Sequence, residues 1–281
     1  MRDWLGVFFL MFLGWAGVCW GIEPYQPEVR LHESDNPAAV SQYQTSQFSL
    51  FSRTETLGYA LWGGEWVLAT SVGNAQLSYQ TLSVNDILQT QYHDDARPTV
   101  LGTLQDGYSE WVGTLGFSVG PFLSFGTSGT LYTHTLSGKT ADAFTVDAGV
   151  RGFLNPFLGG VWIKNVIQNP VSWPSGERER FAQEGAVELG VRLKPFLFIG
   201  SFSTLHYRAE GQWDLSAMLG VCGGFQGWGS GEQQGFAGLR VHLPRFTANY
   251  RYETSLGNGL PVGQHTFGVT WDLAKAVSQP F

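Results

Sequence analysis

The sequence predicts an all-β protein: a closed antiparallel transmembrane β-barrel of about 14 strands with a short N-terminal hatch-like segment. Three observations carry this prediction. Charge is scarce, apolar and polar residues alternate with period two in segment after segment, and the charges fall on one side of that alternation. Only 14% of the 281 residues are charged, against about 25% in an average soluble domain. Glycine (37 residues) and aromatics (15%) are abundant, which suits many strands, tight turns and a large apolar outer surface. The net charge of −7 and the lack of any basic cluster argue against a nucleic-acid partner and against a polybasic membrane anchor.

Residues 1–21 read as a secretory signal peptide. Arg2 precedes an uncharged run over 4–21 with an apolar centre at 5–13, and small residues (Gly14, Ala16, Gly17, Gly21) follow before Glu23 and Pro24. Eighteen uncharged residues also nearly suffice for a helical anchor, the competing reading. Cys19 lies in this stretch and leaves Cys222 alone, so the exported part has no disulfide framework. Its stability is expected from a closed ladder of backbone hydrogen bonds, which lipid makes obligatory.

Residues 22–44 form the hatch-like segment and 45–281 the barrel. Alternation is clearest near the end, where His265, Phe267, Val269, Trp271 and Leu273 oppose Gln264, Thr266, Gly268, Thr270 and Asp272. Val187, Leu189, Val191 and Leu193 oppose Glu188 and Arg192. Phe144, Val146, Ala148 and Val150 oppose Asp147 and Arg151. Trp213, Leu215, Ala217, Leu219 and Val221 oppose Asp214, Ser216, Met218 and Gly220. Fifteen such segments can be drawn, near 45–53, 57–63, 65–72, 75–83, 98–105, 109–119, 122–135, 142–153, 157–167, 183–194, 196–208, 211–225, 234–243, 245–254 and 263–273; an even-stranded barrel of 14 uses one fewer, so one early hairpin or the stretch 98–105 is surplus.

The polar side carries Asp147, Arg151, Glu188, Arg192, Asp214, Arg240, Arg251, Glu253 and Asp272. A charge facing lipid at mid-depth costs about 2–4 kcal/mol, so these residues are expected to face the lumen and pair there. A soluble two-sheet sandwich would place them in water instead. Trp62, Trp66, Trp111, Trp162, Trp173, Trp213 and Trp271 fall near strand ends, where an aromatic girdle is expected. Residues 85–98 and 169–181 read as long polar loops. Residues 120–121 and 194–195 read as tight turns, the kind that faces the periplasm.

Four short runs resemble the FadL-like superfamily, in particular its PorV/PorQ-related branch. They are Asn36-Pro37-Ala38-Ala39, then Phe144-Thr145-Val146-Asp147-Ala148-Gly149-Val150, then Lys164-Asn165, and His265-Thr266-Phe267-Gly268-Val269. The resemblance implies a fourteen-stranded barrel whose N-terminal segment tucks into the lumen. Members nearest FadL take up long-chain fatty acids or other hydrophobic compounds, and members nearest PorV serve type IX secretion. A secretion or assembly partner, or a structural barrel without transport, is therefore the alternative.

For uptake, the candidate ligand contacts are Asn36, Pro37, Val40, Arg151, Met218, Phe236 and Arg240. The apolar ones would line a pocket, and Arg151 or Arg240 would meet a fatty carboxylate. The structural reading of the arginines is pairing with Asp147, Glu188 or Glu253. Partners implied are outer-membrane lipid, a hydrophobic small molecule, and the barrel-assembly machinery that reads a terminal aromatic such as Phe281. No cofactor or metal is expected. The six histidines show no nucleophile motif and no zinc spacing, so no enzyme activity is expected.

Overall fold

The computed structural model describes residues 36–55, 60–92, 98–136, 138–174, 176, 178–228, 233–256 and 263–275. Residues 1–21, read as a signal peptide, residues 22–35 of the expected hatch-like segment, and Phe281 lie outside them. Among the described residues no helix is long and apolar enough to cross a membrane.

Fourteen strands close into one antiparallel barrel, with the first paired to the last. In chain order they are β1 (Thr45–Glu55), β2 (Ala60–Ala69), β3 (Asn74–Tyr92), β4 (Pro98–Val119), β5 (Leu123–Leu136), β6 (Lys139–Leu154) and β7 (Phe157–Gln168). After a two-stranded excursion, β8 (Val171–Ser172) and β9 (Arg178–Glu179), the wall continues as β10 (Glu184–Leu193), β11 (Phe196–Ser203), β12 (His206–Asp214), β13 (Leu219–Trp228), β14 (Gln233–Leu243), β15 (Phe246–Ser255) and β16 (Gly263–Lys275). Closure leaves the transmembrane wall no unpaired edge, the condition lipid imposes on a spanning sheet.

The faces are as the alternation requires. Leu50, Trp66, Leu68, Trp111, Leu115, Val161, Leu189, Phe198 and Phe267 are exposed on the outside, while Ser49, Glu65, Ser78, Thr114, Thr130, Arg151, Glu188, Glu210 and Thr270 are buried on the inside. A water-soluble sandwich would have the opposite distribution. Outer aromatics gather near the short-turn end, where Phe48 stacks on Trp271 and Phe196 on Trp213, and again farther up, where Tyr79 contacts Trp62 and Trp111. These are the two interfacial belts of a membrane barrel. The fold is that of a bacterial outer-membrane β-barrel.

Several expectations are corrected. The segments drawn at 57–63 and 65–72 are one strand, β2, and those at 98–105 and 109–119 are one strand, β4. The two drawn at 196–208 and 211–225 are three strands, which restores fourteen. The hidden break is the turn at 215–218. It contains neither glycine nor proline and so leaves the alternation unbroken. Ser216 makes the turn instead: its Oγ accepts the N–H groups of Met218 (3.2 Å) and Leu219 (3.1 Å). Residues 85–98 are mostly strand rather than loop. β3 and β4 stay paired out to Tyr92 and Pro98, whereas β2 leaves β3 at Ser83 and β5 leaves β4 at Asp106. The result is a two-stranded arm standing beyond the barrel rim.

Two of the girdle tryptophans face inward. Trp162 points into the lumen and is only 3% exposed. Trp173 belongs to the connection between β7 and β10, which folds back over the barrel mouth. There Val171, Trp173 and Phe181 pack with Tyr132 on Ala141 and Ala143. Their burial against β5 and β6 explains why this connection is not a freely solvated polar loop.

Candidate functional site

The site is built around a short N-terminal turn held inside the barrel. Pro37–Gln42 form one 3-10 turn, with Asn36 as its N-cap and Pro37 in its first turn, both favoured there. Asn36 Oδ1 accepts the Ala38 N–H (3.0 Å), and Nδ2 donates to the Val150 carbonyl of β6 (3.1 Å). One side chain thus shapes the turn and ties it to the wall. Asn36, Pro37, Ala38 and Val40 are all buried.

The wall beneath the turn is a trough of glycine. Asn74, Gly116, Gly126, Gly149 and Trp162 are successive register partners across β3, β4, β5, β6 and β7. The three glycines form the floor, and Asn74 and Trp162 stand at its ends. A Cβ at Gly116 would sit 2.6 Å from the Ser41 nitrogen, and one at Gly126 would overlap the Pro37 backbone. A Cβ at Gly149 would meet Asn36 and Pro37, and one at Gly160, diagonal to the row, would lie 2.6 Å from Asn36 Nδ2. Each lumenal side chain removed here lets the turn's backbone approach the sheet. Asn74 completes the seat, its Nδ2 donating to the carbonyls of Val40 (2.9 Å) and Tyr43 (2.8 Å).

Next to the trough, Arg151 and Glu188 form an ion pair at 2.6 Å with side chains 1% and 2% exposed. Arg151 Nη1 also donates to Gln42 Oε1 of the turn (3.3 Å). Asp147 and Asn165, from two of the runs singled out in the sequence, meet at a bulge where β6 and β7 lose register. Asp147 Oδ1 accepts the Asn165 N–H (2.8 Å), and Asn165 adopts φ +58°, a conformation asparagine tolerates better than most residues.

The turn and the infolded β7–β10 connection fill the β3–β7 side of the lumen. The β10–β16 side holds a cavity of about 290 Å³. Its lining includes seven Arg and Glu side chains. Arg208 pairs with Glu210 (2.6 Å), Arg251 with Glu253 (2.8 Å), and Arg53 reaches Glu253 (3.8 Å). Arg240 Nε donates to Asn249 Oδ1 (3.0 Å). Phe236 is buried between two cations, its ring centre 3.7 Å from the Arg251 guanidinium carbon and 5.0 Å from that of Arg208. It screens like charges and covers Gly224.

The structure therefore brings together Asn36, Pro37, Val40 and Arg151 at the trough and places Arg240 on the cavity. Phe236 lies behind the cavity lining. Met218 does not belong to the lumen: it lies in the β12–β13 turn, 57% exposed, because the alternation that suggested an inward direction crosses a turn. The cavity mixes charged side chains with apolar ones such as Trp162 and Ile199. Sequence reasoning missed the glycine trough, Asn74, the lumenal role of Trp162, and Arg53. The available signal was the recurrence of glycine on the polar side of β4, β5 and β6, which gains meaning only once register aligns it.

No protein-family profile matches the chain, and no curated protein matches it. Solved structures do. The Pseudomonas putida toluene transporter TodX gives a TM-score of 0.67 at 9% identity, covering 84% of this chain and 91% of that one. The monoaromatic hydrocarbon channel CymD gives 0.66 at 7% identity, covering 85% and 91%. A Pseudomonas aeruginosa FadL homologue gives 0.56 at 10% identity, covering 84% and 92%. The chain shares their fold. At these identities the likeness extends to the architecture of the barrel and not to its ligand.

Proposed function

We propose that this barrel takes up hydrophobic solutes across the outer membrane, with the N-terminal turn as a plug. The observation that carries the reading is the turn seated on the glycine trough, inside a barrel whose fold is that of channels named for toluene, monoaromatic hydrocarbons and FadL. A plug held by a few hydrogen bonds and close packing can yield to a solute. A barrel stabilised only by its wall needs no such seat.

Long-chain fatty acids are the finer form of the proposal. Arg240, on the cavity, is positioned to receive a carboxylate, and the turn at Asn36, Pro37 and Val40 would meet the apolar tail. Arg151 is already committed to Glu188 and Gln42, and its proposed role is to hold the plug.

The test is uptake of labelled oleate and toluene into proteoliposomes carrying the mature chain. Entry faster than into empty vesicles, and altered by deleting residues 22–44, is the expected result. Entry no faster than into empty vesicles refutes the reading.

One feature favours the PorV-like secretion or assembly role. The β3–β4 arm projects beyond the rim, and neither edge has a described strand partner from residue 84 to 105. Exposed edges of this kind accept extended segments of other proteins. Cross-linking from the arm in intact cells would yield a discrete partner adduct on that reading, and none if the barrel acts alone.

A further inference from the structure

We infer that the β10–β16 side of the lumen is a separate water-filled path, which passes small ions and small polar solutes while the N-terminal turn stays seated. This activity goes beyond the uptake of hydrophobic solutes and uses a different part of the barrel.

Separation from the turn is the first ground. The turn packs on β3, β4, β5 and β6. Among the described residues none from those four strands lines the cavity, whose wall comes from β1, β7 and β10–β16. Trp162, at the end of the glycine trough, stands between the two compartments.

Extent is the second ground. The cavity is lined by both ends of β13, from Gly220 near the short-turn rim to Trp228 at the opposite end. Those eight residue steps, at about 3.3 Å each and a tilt of about 40°, span about 20 Å of barrel height, most of the apolar band of about 25 Å. The volume of about 290 Å³ holds on the order of ten waters, a narrow file over that length.

Wetting is the third ground. Asp214 and Asp272 lie on the lumenal face at the short-turn end and are exposed. Arg53 and His206, toward the other end, are partly exposed. Between them the wall carries the Arg208–Glu210 and Arg251–Glu253 pairs. A hydrocarbon sliding past these pairs would strip their water and return no hydrogen bond, whereas a hydrated ion or a polyol keeps them solvated. This holds for either sign of ion. The floor of the cavity is the layer where Arg240 Nε donates to Asn249 Oδ1 (3.0 Å). It is one side chain deep, because Asp214 and Arg240 both lie against Gly220.

The test uses the mature chain in planar bilayers and proteoliposomes. Cys222 is the only cysteine beyond residue 21 and lines the cavity, so it reports on the path directly. The parent is expected to conduct potassium chloride with its plug seated, and a charged methanethiosulfonate reagent is expected to lower that conductance by half or more. Cys222→Ser should conduct equally and ignore the reagent. Asn249→Ala, which thins the floor, should raise conductance at least twofold with protease cleavage within residues 22–44 unchanged. Glycerol should swell the proteoliposomes and sucrose should not. Heat-modifiable migration on gels verifies that each variant is folded.

Conductance no greater than that of empty bilayers, a Cys222 that does not react or whose modification leaves conductance unchanged, or conductance that appears only when the plug is loosened overturns the inference. Toluene uptake is measured in the same vesicles. Uptake without this conductance removes the polar path and leaves the hydrophobic one standing, and conductance without uptake does the converse.

Discussion

Substituting Gly116 by alanine tests the seat of the proposed plug with one methyl group. The new Cβ would lie 2.6 Å from the Ser41 nitrogen and 3.2 Å from the Val40 carbonyl carbon and Ser41 Cα. Contacts of this kind relax near about 3.5 Å, so the turn must retreat by about 0.9 Å. It cannot do so and keep its anchor. Asn74, the register partner of Gly116, holds Val40 and Tyr43 by bonds of 2.9 and 2.8 Å. A shift of that size takes both past normal hydrogen-bond length. Overpacking costs about 1–3 kcal/mol and each lost bond about 0.5–1.5 kcal/mol, so the seated plug weakens by about 3 kcal/mol. That is a shift on the order of 100-fold toward the displaced turn. The assays are single-channel conductance in planar bilayers and protease cleavage within residues 22–44. Both should rise while the barrel's resistance to heat in detergent stays unchanged. Gly113→Ala, on the outer face of the same strand with nothing within 4 Å of the added carbon, is the matched control. Conductance and cleavage equal to the parent in Gly116→Ala would refute the reasoning.

Asn74→Ala removes the same two bonds without a clash and should raise conductance less, in line with about 1–3 kcal/mol. Glu188→Gln leaves the Arg151 charge buried without its partner and should cost about 3–5 kcal/mol in urea unfolding from vesicles, whereas replacing both residues by Met and Leu should cost far less. Leu189→Lys puts a charge on the outer face of β10 near mid-depth and should destabilise the folded barrel by about 2–4 kcal/mol in the same assay.

The barrel was legible because its two faces differ in chemistry. Val187, Leu189 and Val191 against Glu188 and Arg192 already declare a wetted side and a lipid side, and the structure keeps that division in β10, with Glu188 buried and Val187 and Leu189 exposed. What alternation cannot report is its own interruption. The Ser216 turn breaks β12 from β13 without a glycine or proline, and this misdirected Met218. Nor does alternation separate a tryptophan at a strand end from one turned inward, as Trp162 shows. Its lumenal direction follows from parity with Leu158 and Gly160, both on the inner face. Asn36 and Pro37 were visible as a turn signal, but their seat is a property of register. Gly116, Gly126 and Gly149 are far apart in sequence and adjacent only after three strand pairings are fixed. The cavity is legible only in part for the same reason. Arg240 stands out in the sequence, while its partner Asn249 and the neighbouring Arg53 arrive from other strands.

The most direct test of the inside-out arrangement uses two single-tryptophan variants folded into vesicles containing brominated lipid. One retains Trp111, which is 49% exposed on the outer face, and the other retains Trp162, which is 3% exposed in the lumen. Strong quenching of Trp111 with little quenching of Trp162 is predicted. Quenching of Trp162 as strong as that of Trp111, or a mature chain that stays monomeric in buffer and never enters the vesicles, would contradict the account.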